Sequence, residues 1–316
     1  MKDFLADLKR EEYIALELRR LYRDYGYTKI SLPAFEDYDL YMDYRDYIKT
    51  EKIVTLMSPN GKLLALRPDI TLSIAKKVYK EKNFTYEKIY YIEDVYKFSS
   101  HEIDGYKVEN QLGIERICNC DIHTDQEILD LAIKSLNKID DENILVFSHV
   151  GILSNIIDEI AEKYSIDNDT VNEIIFNIQQ KSFHELNRIL EKLEVNNNNN
   201  VSLQLLNDMH KFTGKFDNVY KQLLSYKLDK KTKNTLLELN ETYKLLIKNN
   251  NDNKDKIVFD LSTTKNLDYY NGIIFQGYIK NSSKAILTGG RYDKLFNKFG
   301  INKGAIGFAI HLESLK

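Results

Sequence analysis

The sequence predicts an α+β fold in which helices flank a mostly antiparallel sheet. Its strand-like segments are joined by short polar turns, and they do not alternate regularly with helices. No GxGxxG motif occurs, which also argues against a doubly wound parallel sheet. At 316 residues with 43% apolar side chains, the chain is long enough for one large domain with an insertion, or for two domains.

The first 165 residues contain most of the predicted sheet. Residues 5–25 carry leucine and isoleucine at helical spacing, and Gly26 is placed to end that helix. The stretch 27–33 alternates like a strand that closes at Pro33. Further strands are predicted at 53–57, 63–66, 88–97, 107–117 and 143–148, and helices at 71–79, 126–138 and 151–164.

Residues 166–256 have a different character. They are rich in leucine, isoleucine, lysine and asparagine at helical spacing without a strand pattern, which predicts a small helical insertion. The asparagine run 196–200 and the polar stretch 248–256 are typical of solvated loops. Strands are predicted again at 257–260, 273–278 and 284–287, followed by a last helix from about residue 304. The predicted core is therefore 1–165 together with 257–316.

The composition indicates a cytoplasmic protein without a metal or cofactor. No run of 18 apolar residues occurs, and the charged N-terminus lacks the apolar segment of a secretory signal. Cys118 and Cys120 are too close to form a disulfide framework, and no histidine pair has metal-ligand spacing, so we expect two partly buried thiols in a reducing compartment. A net charge of −3 argues against a large nucleic-acid interface.

Two segments place polar side chains beside apolar strands. Asp69 and Thr71 lie at a predicted helix start, where they would form either an ordinary helix cap or part of a binding site. Gln111 and Glu115 share one face of a predicted strand, which is either its solvent side or the wall of a pocket. Neither segment decides between the two interpretations when it is taken alone.

In their order, these segments resemble the histidyl-tRNA synthetases, a class II synthetase family. The matching blocks are Tyr22–Tyr41 (motif 1), Leu66–Thr71 (the LRPE-x-T segment), Lys88–Glu115 (motif 2), Asn266–Phe275 (a histidine-specific loop) and Gly289–Leu315 (motif 3). The resemblance covers about residues 5–145 and 257–315. Because only Lys316 follows motif 3, we expect no anticodon-binding domain.

The resemblance implies a set of histidine-binding residues: Asp69, Thr71, Gln111, Glu115, Lys265, Tyr269 and Tyr270. The first three would hold the α-ammonium group, with Asp69 where the family has glutamate. Glu115 and Tyr270 would bracket the imidazole nitrogens, and Tyr269 would line the pocket, although the tyrosine pair precedes a turn and would also suit ordinary packing. Lys265 replaces a family arginine near the substrate carboxylate. The lysine keeps the positive charge but cannot form the two parallel hydrogen bonds of a guanidinium group.

The family's ATP-binding positions are altered at Lys97, Ser99, His311 and Ser314. The motif 2 pattern FRxE reads YKFS, so lysine replaces the arginine that grips the α-phosphate and serine replaces the glutamate. The motif 3 pattern GLER reads HLES, so the arginine that holds the γ-phosphate is replaced at Ser314. Losing one transition-state donor typically costs about 10²–10³ in rate. The resemblance therefore predicts a histidine pocket without adenylation.

A chain that keeps the histidine-binding residues but has altered ATP-binding positions is similar to the regulatory subunits of ATP phosphoribosyltransferase. This resemblance implies a non-catalytic subunit that activates a short-form catalytic subunit and mediates feedback by L-histidine in the first step of histidine biosynthesis. It also implies a homodimer within a hetero-octamer, without tRNA or membrane as a partner. Two alternatives remain: a truncated, divergent histidyl-tRNA synthetase body that still activates histidine, and a free-standing histidine sensor.

Overall fold

A computed structural model describes residues 7–45, 53–81, 87–98, 105–193, 200–264 and 269–315. Its helices are α1 (Arg10–Asp24), α2 (Asp39–Asp43), α3 (Ile70–Lys80), α4 (Ile122–Ile139), α5 (Val150–Tyr164), α6 (Asn168–Gln179), α7 (Phe183–Leu193), α8 (Val201–Asn207), α9 (Phe216–Ser225), α10 (Lys230–Asn249) and α11 (Asp293–Lys298). Short 3₁₀ helices occupy Met209–Lys211, Asn251–Lys256 and Leu312–Leu315. None of the helices in these ranges has the length and apolar character needed to cross a membrane.

The strands are β1 (Thr28–Lys29), β2 (Phe35–Asp37), β3 (Thr55–Met57), β4 (Leu63–Leu66), β5 (Lys88–Phe98), β6 (Tyr106–Cys118), β7 (Asn143–His149), β8 (Thr213–Gly214), β9 (Ile257–Asp260), β10 (Ile273–Ile279), β11 (Leu287–Arg291) and β12 (Gly304–His311). Within the described ranges, nine of them form one sheet in the order β1-β5-β6-β12-β11-β10-β7-β9-β8, and β2-β4-β3 form a small second sheet. Only the pairs β1–β5 and β7–β9 of these described strands are parallel. The predicted α+β class with a mostly antiparallel sheet is confirmed.

Apolar side chains cover both faces of the main sheet. On one face, α1 packs against α4, and α10 packs against α4 and α5, over a core that includes Leu112 and Ile114 of β6. On the other face, a smaller core joins α3 and α11 to Tyr91 of β5. Gly26 follows α1 with φ +80°, a left-handed conformation that glycine adopts without steric cost. The N-terminal helix therefore ends where the sequence predicts.

The expected helix from residue 304 is wrong, because this segment is strand β12. It pairs with β6 on one side and with β11 on the other, so it lies in the interior of the sheet. The sequence GAIGFAI has small and apolar residues throughout, and a short apolar run of this kind does not distinguish a buried strand from a buried helix. Only Leu312–Leu315 forms a helical turn, and it is a 3₁₀ turn.

Two expectations for the region 166–256 also need correction. Besides its helices, this region contains a two-residue strand, β8. Thr213 of β8 pairs with Asp260 of β9 in the main sheet. Residues 196–199 of the asparagine run lie outside the described residues, but Asn200 is buried and caps α8 by accepting a hydrogen bond from the Ser202 backbone N–H. The polar loop interpretation therefore does not hold at Asn200. The division of the chain into a core and an insertion stays a prediction.

Candidate functional site

A small cavity of about 260 Å³ lies on one face of the main sheet, beside β6 and β12. These strands are antiparallel neighbours, with Glu115 opposite Gly307 and Gln111 opposite His311. Side chains alternate between the two faces of a strand, so these four residues share the cavity side, whereas Ile114 belongs to the apolar core on the other side. The strand register therefore builds a polar wall from alternate residues.

The predicted residues that line this small cavity are Asp69, Thr71, Lys97, Gln111, Glu115, Tyr269, Tyr270 and His311. They come from distant parts of the chain and meet at one place. Two other predicted site residues, Lys265 and Ser99, lie outside the described residues. Ser314 does not line the small cavity but a larger one beside it.

Glu115 is the most deeply buried acid of the small cavity, with 2% of its surface exposed. Its Oε1 accepts a hydrogen bond from Thr71 Oγ1 at 3.2 Å, and its Oε2 accepts one from the Tyr292 hydroxyl. Burial raises the pKa of the carboxyl to about 8, although both hydrogen bonds oppose the shift. Gln111 is buried as well, so the interpretation of these two side chains as a solvent-facing pair is wrong.

Asp69 has two roles at the start of α3. Its Oδ1 accepts a hydrogen bond from the Leu72 backbone N–H at 2.8 Å, which is the helix cap expected from the sequence. The same residue lines the small cavity, where burial raises the pKa of its carboxyl. The cap and the cavity wall are therefore compatible roles of one side chain.

Three tyrosines cover one side of the small cavity. The ring centroids of Tyr269 and Tyr270 lie 4.8 Å apart, and those of Tyr269 and Tyr292 lie 5.4 Å apart. Tyr270 packs onto Gly290, where a Cβ would come within 2.7 Å of the tyrosine ring. Sequence reasoning missed Tyr292, whose hydroxyl donates to Glu115. Its only signal was its position inside the motif 3 segment.

We expect Gly307→Ala to destabilise the protein and to obstruct the small cavity. A Cβ at this position would lie 1.8 Å from Glu115 Oε2 and 2.3 Å from the Ile114 carbonyl oxygen. Overpacking of this kind costs about 1–3 kcal/mol in the free energy of unfolding. A lower midpoint in denaturant unfolding, at an unchanged slope, would measure the loss.

Gly61→Ala is the control for this substitution. Gly61 has a left-handed backbone, with φ +80°, unlike Gly307 in strand β12, and no atom lies within 4 Å of an added Cβ at Gly61. Its cost, about 1–2 kcal/mol, would come from the backbone alone. It should leave ligand binding at the small cavity unchanged. If Gly307→Ala also left ligand binding unchanged, the close contact with Glu115 would not matter to the cavity.

Comparison with known proteins places this chain in a family. The sequence profile of the histidyl-tRNA synthetase family matches residues 2–315. The chain belongs to the histidyl-tRNA synthetase family. The ATP phosphoribosyltransferase regulatory subunit of Alkaliphilus metalliredigens is 30% identical to it over 294 residues, which cover 92% of this chain and 72% of the relative.

Solved structures of other proteins share the fold of this chain. A structure of an ATP phosphoribosyltransferase regulatory subunit/histidyl-tRNA synthetase from Bacillus halodurans is similar at a TM-score of 0.84 and 22% identity, over 97% of this chain and 78% of that one. A chain of the ATP phosphoribosyl transferase (HisG:HisZ) complex from Thermotoga maritima is similar at a TM-score of 0.71 and 17% identity, over 96% of this chain and 97% of that one.

The motif 2 lysine, Lys97, forms an ion pair with Glu109, which also pairs with Lys107. Lys97 Nζ lies 3.1 Å from Glu109 Oε2, and Lys107 Nζ lies 2.8 Å from Glu109 Oε1. Burial alone would raise the pKa of Glu109, but the two lysines outweigh it and lower this pKa to about 2. The cation that replaces the α-phosphate arginine of the histidyl-tRNA synthetases is thus already paired with a carboxylate.

The larger cavity, of about 860 Å³, adjoins the small one, and His311 lines both. It contains Ser314, where the histidyl-tRNA synthetases have the γ-phosphate arginine. Next to it, Glu313 Oε1 accepts a hydrogen bond from the Asn110 backbone N–H at 3.0 Å. A neutral hydroxyl and a carboxylate therefore occupy the end of motif 3. In the part of the chain that the structure describes, no group of three or more histidine, cysteine or acidic side chains is arranged to hold a metal ion.

Proposed function

We propose that this protein is a non-catalytic regulatory subunit of ATP phosphoribosyltransferase and that L-histidine is its effector. The observation that carries the proposal is the small cavity itself, a buried polar site beside a motif 2 lysine that Glu109 already neutralises. The relatives that bear the name of this regulatory subunit support it. So does the solved complex from Thermotoga maritima, which contains a chain of the same fold.

The small cavity suits histidine in size and polarity. Its volume of about 260 Å³ is smaller than the pockets of drug-sized ligands, which measure about 300–1,000 Å³. Glu115 would accept a hydrogen bond from one imidazole nitrogen, and Tyr270 would lie at the other. Asp69, Thr71 and Gln111 would hold the α-ammonium group. A site built from buried acceptors rejects analogues that leave those acceptors unpaired.

Two further residues complete the proposed site. Tyr269 would line it beside Tyr270, with which it makes an edge-to-face contact. Lys265 would offer its charge to the ligand carboxylate. Because Lys97 also lines the small cavity while it pairs with Glu109, a phosphate group would have to compete with a carboxylate for it. The proposed site therefore binds an amino acid and does not adenylate it.

Feedback inhibition follows from linkage. Histidine shifts the assembly toward an inhibited arrangement only if it binds that arrangement more tightly than the active one. Coupling of this kind typically amounts to about 1–3 kcal/mol. The proposed partner is a short-form ATP phosphoribosyltransferase catalytic subunit, whose activity would depend on this chain.

The proposed assembly is a homodimer of this chain within a hetero-octamer. The motif 1 segment, Tyr22–Tyr41, would provide the two-fold contact between copies. The small second sheet supports this, because Phe35 of β2 and Met57 of β3 are 54% and 66% exposed. These exposed apolar side chains would be available for such a contact.

The deciding experiment mixes this chain with a short-form catalytic subunit, preferably from the same source, and measures phosphoribosyl-ATP formation with and without histidine. We expect activity that requires both chains and that falls when histidine is added. Histidine-dependent exchange of pyrophosphate into ATP, measured beside an authentic histidyl-tRNA synthetase, should be absent. Exchange above background would favour a residual synthetase, and histidine binding without any stimulation of the catalytic subunit would favour a free-standing sensor.

A further inference from the structure

The two cysteines of the sequence lie together at the end of β6. Cys118 is the last residue of the strand and Cys120 precedes α4, with the exposed Asn119 between them. Their sulfur atoms are 3.0 Å apart and both thiols are free. A disulfide bond is about 2.05 Å long, so the sulfurs need to approach by only about 1 Å. Cys120 is partly exposed, which gives a small thiol reagent access to the pair.

The backbone of Cys120 is hydrogen-bonded to the segment Arg291–Asp293, which begins with the last residue of β11. Its carbonyl oxygen accepts a hydrogen bond from Arg291 Nη2 at 2.7 Å. The same guanidinium donates from Nε to Asp293 Oδ2 at 2.8 Å, and Asp293 Oδ1 accepts from the Ala305 backbone N–H at 2.9 Å. Arg291 therefore connects the cysteine pair to the start of β12. A displacement of the Cys120 carbonyl would disturb this arrangement first.

The same segment holds two parts of the small cavity. Asn271, the residue after Tyr270, donates from its backbone N–H to the Arg291 carbonyl oxygen at 2.9 Å, and its side-chain oxygen accepts from the Asp293 backbone N–H at 2.8 Å. Between Arg291 and Asp293 lies Tyr292, whose hydroxyl donates to Glu115 in the cavity. A chain of direct contacts thus leads from the cysteine pair to the cavity wall.

We propose that Cys118 and Cys120 are a redox modification site, at which exchange with a low-molecular-weight disulfide forms an intramolecular disulfide that weakens ligand binding in the small cavity. In the first step, one protein thiolate attacks a sulfur of the reagent and releases one reagent thiolate. In the second step, the other protein thiolate attacks the mixed disulfide and releases the second. The reagent is reduced to two thiols while the protein loses two hydrogen atoms.

The chemistry of the pair favours this exchange. The hydrogen bond between the two thiols lowers the pKa of Cys118 to about 7, against burial, and raises the pKa of Cys120. A thiol whose pKa lies near ambient pH is the best attacking group in disulfide exchange. In reducing compartments, disulfides are usually transient and redox-sensing. The pair therefore suits a reversible modification better than a permanent cross-link.

The test treats the full-length protein with oxidised glutathione and measures its mass and free thiols, with Cys118→Ser and Cys120→Ser as matched controls. We expect the parent to lose two hydrogen atoms and both free thiols without retaining glutathione, whereas each variant keeps a glutathione adduct or stays unmodified. Backbone hydrogen exchange at Asn271 and Asp293 should become faster in the oxidised parent only. A stable glutathione adduct on the parent, or two unreacted thiols, would overturn the proposal.

The effect on the cavity is read from histidine titration of the reduced and oxidised parent, and this readout rests on the proposed function. We expect oxidation to weaken histidine binding by about 5- to 150-fold, the usual range for coupling between two sites, and reduction by dithiothreitol to restore it. Equal affinity in both states, with unchanged hydrogen exchange, would refute the coupling. Absence of histidine binding in the reduced protein would instead contradict the proposed function, while mass and hydrogen exchange still decide the redox proposal.

Discussion

Replacing Glu115 by glutamine should abolish feedback inhibition by histidine and leave activation of the catalytic subunit intact. The amide keeps the size of the side chain, but its NH2 group cannot accept the hydrogen bond that is proposed to come from the imidazole. Leaving a buried donor without its acceptor costs about 1–3 kcal/mol, which corresponds to about 5- to 150-fold in affinity. Calorimetric titration with histidine measures the loss, and an unchanged dissociation constant would exclude Glu115 from the site.

The same substitution should change how stability depends on pH. Burial raises the pKa of Glu115 to about 8, so the folded protein binds this proton more tightly than the unfolded chain does. The stability contributed by that proton is fully present below the unfolded pKa of about 4.3 and is lost as pH rises through about 8. Glu115→Gln should therefore flatten this decline in chemical unfolding. Glu185→Gln, which changes an exposed acid on α7, should keep the parent's profile.

Arg67→Met should lower the free energy of unfolding by about 3–5 kcal/mol, the usual cost of breaking a buried ion pair. The Arg67 side chain is 2% exposed and pairs with Glu93 at 3.1 Å. Its guanidinium also donates to the carbonyl oxygens of Leu32, Pro33 and Asp94. Methionine fills similar space but leaves these acceptors buried without a donor, which is the expensive part of the change.

Denaturant unfolding would measure this loss, with Arg188→Met as the control. Arg188 lies on α7 with a 61% exposed side chain and forms a surface pair with Glu185, so its removal should cost about 0–1 kcal/mol. Arg67→Lys should fall between the two variants, because it keeps the charge but cannot reach several acceptors at once. If Arg67→Met and Arg188→Met were equally stable, the network around Arg67 would not contribute to folding.

Local sequence patterns predicted the elements that have a clear period. The alternation in β6, with Leu112 and Ile114 on the core side, predicts a strand, and the Asp69 cap predicts the start of α3. The patterns failed where tertiary context decides the structure. β12 reads as a helix in isolation because its apolar run is buried on both sides, and β8 is a strand only because β9 pairs with it.

For the site, the sequence indicated which residues meet but not what surrounds them. The order of the motifs and their resemblance to the histidyl-tRNA synthetases predicted that Glu115 and Tyr270 belong to one site, and both line the small cavity. The bond from Tyr292 to Glu115 and the ion pair of Lys97 with Glu109 depend on strand register, which no local pattern encodes. The burial of Asn200 likewise depends on neighbouring helices, and the polarity of an asparagine run gives no sign of it.

Glu109 also limits what a single substitution at position 97 could achieve. An arginine at position 97 would take the place of Lys97 and would meet a carboxylate that still pairs with Lys107. A guanidinium binds a carboxylate in bidentate fashion, more strongly than an ammonium group does. The arginine would therefore form an ion pair with Glu109 in preference to a phosphate group. An arginine at position 97 alone would therefore not provide a free guanidinium for a phosphate group while Glu109 is present.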